Sequence, residues 1–169
     1  MASRDIPLKE AEFTAFKIVE YLGSLCEKIM VAGSLRRKRP FVHDIDIVVI
    51  PNPLMWSGSI PKLLINQLGA EMTKNGPLVK QFTIDNIQVD LIHATRQNWG
   101  IRTLRWTGSA AHNIKLCTKA RSLDMKLAVS KGLLNNKGEI IESRDEKEIF
   151  KHLGLDYVDP IDREVNSNK

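Results

Sequence analysis

The chain has 169 residues, 43% of them apolar and 27% charged, the balance of an ordinary folded domain and far from the signature of disorder. That length holds one sizeable core or two small lobes and excludes a large multidomain machine. Lysine and arginine number 25 against 20 acids, a net charge of +5 with a pI near 9.3, which favours a polyanionic partner such as nucleic acid or a nucleotide phosphate. Solubility alone is the competing reading of that charge.

Two cysteines, Cys26 and Cys117, stand outside any C-x-x-C pair or zinc-ligand spacing, so they read as small hydrophobes in a reducing compartment, with a single bridge between them as the lesser alternative. No apolar stretch approaches the roughly 18 to 20 residues of a membrane span. The best run, Ile47 to Ile50, is bounded by Asp46 and Pro51. The first ten residues lack an apolar signal core. The expectation is a protein of the cytoplasm, or of the nucleus in a eukaryote, with no membrane partner.

In chain order, Ala11, Phe13, Ala15, Phe16, Ile18, Val19 and Leu22 fall at roughly helical spacing within residues 8–26, with Pro7 at the entry and Gly23 near the exit, and predict an amphipathic helix. An apolar run, 29–32, ends in Gly33-Ser34. The basic cluster Arg36, Arg37, Lys38 and Arg39 follows, then a strand-like run, 44–50. Pro51 and Pro53 break the chain, and 59–70 read as a helix. Strands are expected at 78–84 and 87–93, joined by a tight turn at Asp85-Asn86. From there the pattern becomes mainly helical: 101–106, 110–122 with Ser109 as its cap, short strands within 125–141, and a last helix over 145–153 ending at Gly154. The reading is an α+β chain with two lobes, residues 1–95 built on a mixed sheet with helices and residues 96–169 mostly helical.

The chemistry concentrates in Gly33 to Asp46, GSLRRKRPFVHDID. On a strand Asp44 and Asp46 share one face, while Ile45, Ile47 and Val49 face the opposite way into the core. Two carboxylates so close, flanked by hydrophobics, are unfavourable without a cation, and paired oxygen ligands suit Mg²⁺. Asp90, in IQVDLIH, repeats the pattern. If the two strands are neighbours, three carboxylates meet, enough to hold two metals for an in-line phosphoryl or nucleotidyl transfer. The Gly33-Ser34 turn supplies N–H groups and a hydroxyl to phosphate oxygens, and Arg37 neutralises pyrophosphate charge. The plainer reading makes Asp44 and Asp46 caps of a surface turn and the arginines a solvated run. Four features in order argue against it: the turn, the arginine, the D-x-D and the later acid.

This pattern resembles the nucleotidyltransferase superfamily, and within it the family X DNA polymerases, the group of DNA polymerase beta. GSLRR followed by DIDIVV looks like that family's triphosphate and metal motif, RWTGSAAHN at 105–113 like its nucleotide-binding segment, and KEIFKHLGLDYVDPIDRE like its C-terminal thumb. Ile6-Pro7 matches the start of the palm. The resemblance spans roughly residues 4–165 and implies a nucleotidyltransferase palm, 1–95, followed by a small thumb, 96–169, in a minimal form without lyase and fingers domains.

Residue by residue, the resemblance makes Asp44 and Asp46 ligands of two Mg²⁺ ions, with Mn²⁺ as the other candidate metal, and Asp90 the ligand of the catalytic one that helps activate a primer 3′-hydroxyl. Gly33, Ser34, Arg37 and the backbone at His43 would hold the triphosphate. Trp106, Thr107 and Gly108 would lie against the sugar and base, and Asn113 would reach the minor-groove edge. His112, Lys115, Lys119 and Arg121 would face DNA. The chain departs from the family pattern at His43, where glycine is usual, at Arg105, and at Cys117, where animal members place an arginine. His93 and His152 read as ordinary polar positions. The implied activity is DNA-directed DNA polymerisation by a monomer, at short gaps or on a primer-template, with dNTPs. The alternatives are a template-independent or small-substrate nucleotidyltransferase, and a catalytically silent DNA-binding module, against which the intact acidic triad argues.

Overall fold

A computed structural model describes residues 5–164. Residues 1–4 and 165–169, the outer ends of the two expected lobes, lie outside the described residues. The chain divides between Ala94 and Thr95 into two compact units. Among the described residues no helix is long and apolar enough to cross a membrane.

The first unit is a five-stranded sheet under two helices. After the two-residue strand β1 (Ile6–Pro7), helix α1 (Leu8–Leu22) buries Ala11, Ala15, Ile18 and Leu22, the stripe that 3.6-residue periodicity lays along one face. Strand β2 (Cys26–Val31) leads into a one-turn helix, α2 (Gly33–Arg36), where sequence patterning suggested only a turn. Strand β3 (Phe41–Val42) pairs with β1. Then come β4 (Asp44–Pro51), α3 (Ile60–Leu68), β5 (Glu71–Asn75), β6 (Val79–Ile84) and β7 (Ile87–His93).

The sheet order is β2-β4-β7-β6-β5. Only β4 and β7 run parallel; the other pairs are antiparallel. Ile45, Ile47 and Val49 of β4, Val89 and Leu91 of β7, and Phe82 and Ile84 of β6 join α1 and α3 in one core. Alternation then sends Asp44, Asp46, Asp90, Gln81 and Gln88 to the opposite face. The β6–β7 turn is the tight hairpin expected at Asp85-Asn86, with both residues at positive φ, 52° and 62°, as a type I′ turn requires. Strand β5 had no sequence signal, because an exposed edge strand reading EMTKN shows neither alternation nor β-branched bias.

The second unit contains α4 (Trp99–Thr107), α5 (Ala110–Ser122), a small antiparallel sheet of β8 (Lys126–Ala128), β9 (Gly132–Leu134) and β10 (Ile140–Glu142), and α6 (Glu146–His152). Ile101, Leu104, Leu116, Leu133, Ile149 and Phe150 form its core. Ser109 caps α5 as its position suggested, accepting from the His112 N–H. Asp145 caps α6 through the N–H groups of Lys147 and Glu148. A buried ion pair anchors the C-terminal segment: Arg163, 0% exposed, reaches Glu146 at 3.1 Å and donates from Nε to the Val158 carbonyl.

Candidate active site

Strand pairing builds the acidic centre. In the parallel β4–β7 ladder Asp46 stands directly opposite Asp90, and Asp44 opposite Gln88, so the three carboxylates occupy one sheet face on strands about 4.8 Å apart. Beside them, Gly33 turns the chain at φ +58°, and a side chain there would overlap Asp46 Oδ2, with Cγ only 3.0 Å from its Cβ. Glycine is therefore required twice, once by backbone conformation and once by space. The Ala32 N–H donates to the Asp46 carbonyl at 2.8 Å, which pins the turn to the carboxylate strand.

The electrostatics follow from this crowding. Burial, then the negative charges of Asp44 and Asp90, push the Asp46 carboxyl up to about 8, with Arg37 pulling the other way. Asp44 is also raised, by burial and then Asp90, against the lowering influence of His43 and Arg37. Arg37 is thus close enough to act on both acids. Asp90 is oriented by two amides: Gln81 Nε2 donates to its Oδ1 at 2.9 Å and Gln88 Nε2 at 3.2 Å. Sequence reasoning missed both glutamines. The i, i+2 spacing of Gln88 and Asp90 was the signal for one, whereas Gln81 emerges only from the β6–β7 register.

As the side chains stand, no group of three or more carboxylate, imidazole or thiol ligands among the described residues closes on one cation position. The donor chemistry nonetheless fits a hard divalent ion. All three groups are carboxylates, and two are driven toward protonation by the burial and repulsion that a cation relieves. Asp44, Asp46 and Asp90 are the residues that would hold it.

The other expected site residues divide. Ser34 lies in α2 on the turn itself, half-buried. His43 is exposed, with Nδ1 3.3 Å from Asp5. In the second unit Trp106 is half-buried, the Thr107 side chain is enclosed, and Gly108 ends α4. Two expectations need correction. Asn113 is 8% exposed and its Nδ2 donates to the Arg105 and Gly108 carbonyls at 2.9 and 3.2 Å, so in this conformation the amide ties the α4–α5 turn instead of reaching outward. His112 is 6% exposed and packs on Phe150 at 5.9 Å between ring centroids, so it belongs to the interior and not to a DNA-facing surface. Both residues fall on the inner side of α5, a phase that the weak amphipathicity of AAHNIKLCTKARS did not reveal. Lys115 and Arg121 are exposed and Lys119 is half-buried, and 3.6-residue geometry sets Arg121 well around the helix from the two lysines. Cys26 and Cys117 are free, and burial lifts the Cys26 thiol to about 11.

Residues 102–164 match the model of the DNA polymerase beta thumb. A repair DNA polymerase X of African swine fever virus is 25% identical over 148 residues, covering 82% of this chain and 84% of the viral protein. Over most of its length the chain is similar to family X DNA polymerases. A DNA nucleotidylexotransferase of Ambystoma mexicanum is 34% identical over 79 residues, 46% of this chain and 15% of that protein. In fold, the chain matches polymerase beta of Leishmania infantum, solved as a ternary P/T complex, with a TM-score of 0.80 at 21% identity over 96% of this chain and 77% of that one. The architecture is accordingly an α+β palm followed by a small thumb.

Proposed function

We propose that the chain is a DNA-directed DNA polymerase that adds dNTPs to a primer 3′-hydroxyl and fills short gaps during repair. The observation that carries this reading is the β4–β7 register, which sets Asp46 against Asp90 beside the Gly33 turn and Arg37. Two divalent ions, when bound, neutralise the attacking and leaving oxygens of an in-line transfer. The chain's own groups do the rest. Asp44 and Asp46 would hold those ions, and Asp90, oriented by Gln81 and Gln88, would face the 3′-hydroxyl. The backbone and hydroxyl at Gly33-Ser34 receive phosphate oxygens, and Arg37 balances the charge that collects on the leaving pyrophosphate. Trp106 and the Thr107-Gly108 backbone confine the incoming nucleotide against its template partner, so that a correct pair aligns the hydroxyl with the α-phosphate.

A one-nucleotide gap presented with each of the four template bases tests the reading. Insertion is expected to follow the template base by preference, and Asp90→Ala is expected to lower kcat by about two to three orders of magnitude with an unchanged far-UV spectrum. The amphibian relative supports a second reading, template-independent transfer. Insertion that ignored the template base, or ran equally well on single strands, would favour it over the first. Transfer to no DNA end at all would remove both.

A further inference from the structure

Helix α4 carries a cation that its surroundings do not account for. Arg102 is 7% exposed, and Nε and Nη1 of its guanidinium are enclosed with no hydrogen-bond acceptor among the described residues. Its neighbour is Trp106, one helical turn on, whose ring centroid lies 5.6 Å from Cζ. Such stacking engages the flat face of a guanidinium and leaves the in-plane N–H donors unmet. Burial shifts the Arg102 pKa downward, yet arginine stays charged at any pH a protein encounters. A charge in this state is strongly unfavourable unless an acceptor arrives.

The same unit shows how this fold satisfies a guanidinium whose role is structural. Arg163 is wholly enclosed, and its Nε, Nη1 and Nη2 donate to the Val158 carbonyl and to both Glu146 oxygens. Arg102 has no such set, although its neighbours Ile101 and Leu104 show that α4 fills its core positions with aliphatic side chains. The unmet donors sit next to the indole that the proposed function sets against the incoming nucleotide.

We propose that Arg102 is a receptor for a phosphate oxygen delivered beside Trp106, either from the nucleotide's polyphosphate or from a DNA phosphodiester. The planar fork matches phosphate geometry, and the desolvated setting strengthens each charge-assisted bond. The location beside a nucleotide rests on the polymerase reading; the demand for an oxyanion does not.

The test uses the full chain and the variants Arg102→Met and Arg102→Lys. Thermal melting is followed without ligand and with tripolyphosphate, with a dNTP, and with a gapped duplex, and dissociation constants are measured for the last two. Arg102→Met is expected to melt at or above the wild-type temperature without ligand, because an apolar side chain of similar length replaces an unpaired buried charge. It is also expected to lose most of the tripolyphosphate-induced rise in Tm. Binding should weaken by about tenfold or more, with Arg102→Lys in between, since it keeps the charge and loses the fork. If the dNTP constant moves and the DNA constant does not, the polyphosphate is the source. If the DNA constant moves and its salt slope falls by about 1, the phosphodiester is. Either result supports the receptor. An Arg102→Met protein that binds all three ligands as the wild type does overturns it, whether its Tm is unchanged or lowered. These binding arms need no nucleotide transfer, so a failure of the polymerase reading is read separately in the gap assay.

Discussion

Asp46 shows what one residue position can impose on the protein. Its carboxyl is pushed up to about 8 by burial and by Asp44 and Asp90, whereas in the unfolded chain it titrates near its ordinary value of 3.8. Between those limits the native state holds a proton that the unfolded state has released, so stability without metal declines as pH rises through that window. Asp46→Asn removes the penalty. In the presence of a chelator this variant is expected to melt above the wild type at pH 8, with the gap narrowing toward pH 5, in a series of melting curves across pH. A stable variant with no activity in the gap assay would show that the acid is kept for function at the expense of the fold. Much of this was legible: the D-x-D alternation, the glycine before it and the lone later acid are local patterns. The amide that Gln81 lends to Asp90 was not, because it depends on which residues β6 sets opposite β7.

At the scale of an element, α5 separates what composition suggests from what phase decides. Composition offers Lys115, Lys119, Arg121, His112 and Asn113 together as polar groups after the W-T-G-S segment. Winding them on a helix turns His112 and Asn113 inward and divides the cations between Lys115 with Lys119 and Arg121 on another side. If DNA lies along the lysine side, Lys115→Ala combined with Lys119→Ala should lower the magnitude of the salt slope of duplex binding by about 2, one for each phosphate released. Arg121→Ala alone should leave that slope unchanged; titrations at several salt concentrations separate the two. Helix α6 holds the other element-scale dependence. Its Glu146 pairs inside the unit with Arg163, and Tyr157 Oη donates to the same carboxylate at 3.2 Å. Breaking a buried pair strands a charge and costs about 3 to 5 kcal/mol, so Arg163→Met should lower the denaturant midpoint of the second unit, and Arg163→Met with Glu146→Gln should recover part of the loss. No sequence pattern announced this pair, because Arg163 lies in a loop whose path only the tertiary fold fixes.

Across the whole molecule, the order of the longer helices and of strands β2, β4, β6 and β7, the tight hairpin and the change of character near residue 95 could be read from periodicity, turn residues and caps, whereas α2, β3 and β5 could not. The sheet order β2-β4-β7-β6-β5 could not, since nothing local says that β7 inserts between its hairpin partner β6 and the distant strand β4. That one parallel pairing also governs how the protein comes into being. The antiparallel hairpin β6–β7 closes a minimal loop, but β4–β7 closes one that contains α3, β5 and β6, and the entropy of that closure must be met before any contact in it is gained. Contacts of this range slow folding. Until β7 arrives, β4 presents the run Ile47 to Ile50 with one open edge, the kind of surface on which chains associate during refolding. Asp46 meets Asp90 only when that edge closes, so the chemistry depends on a pairing that no local contact can supply.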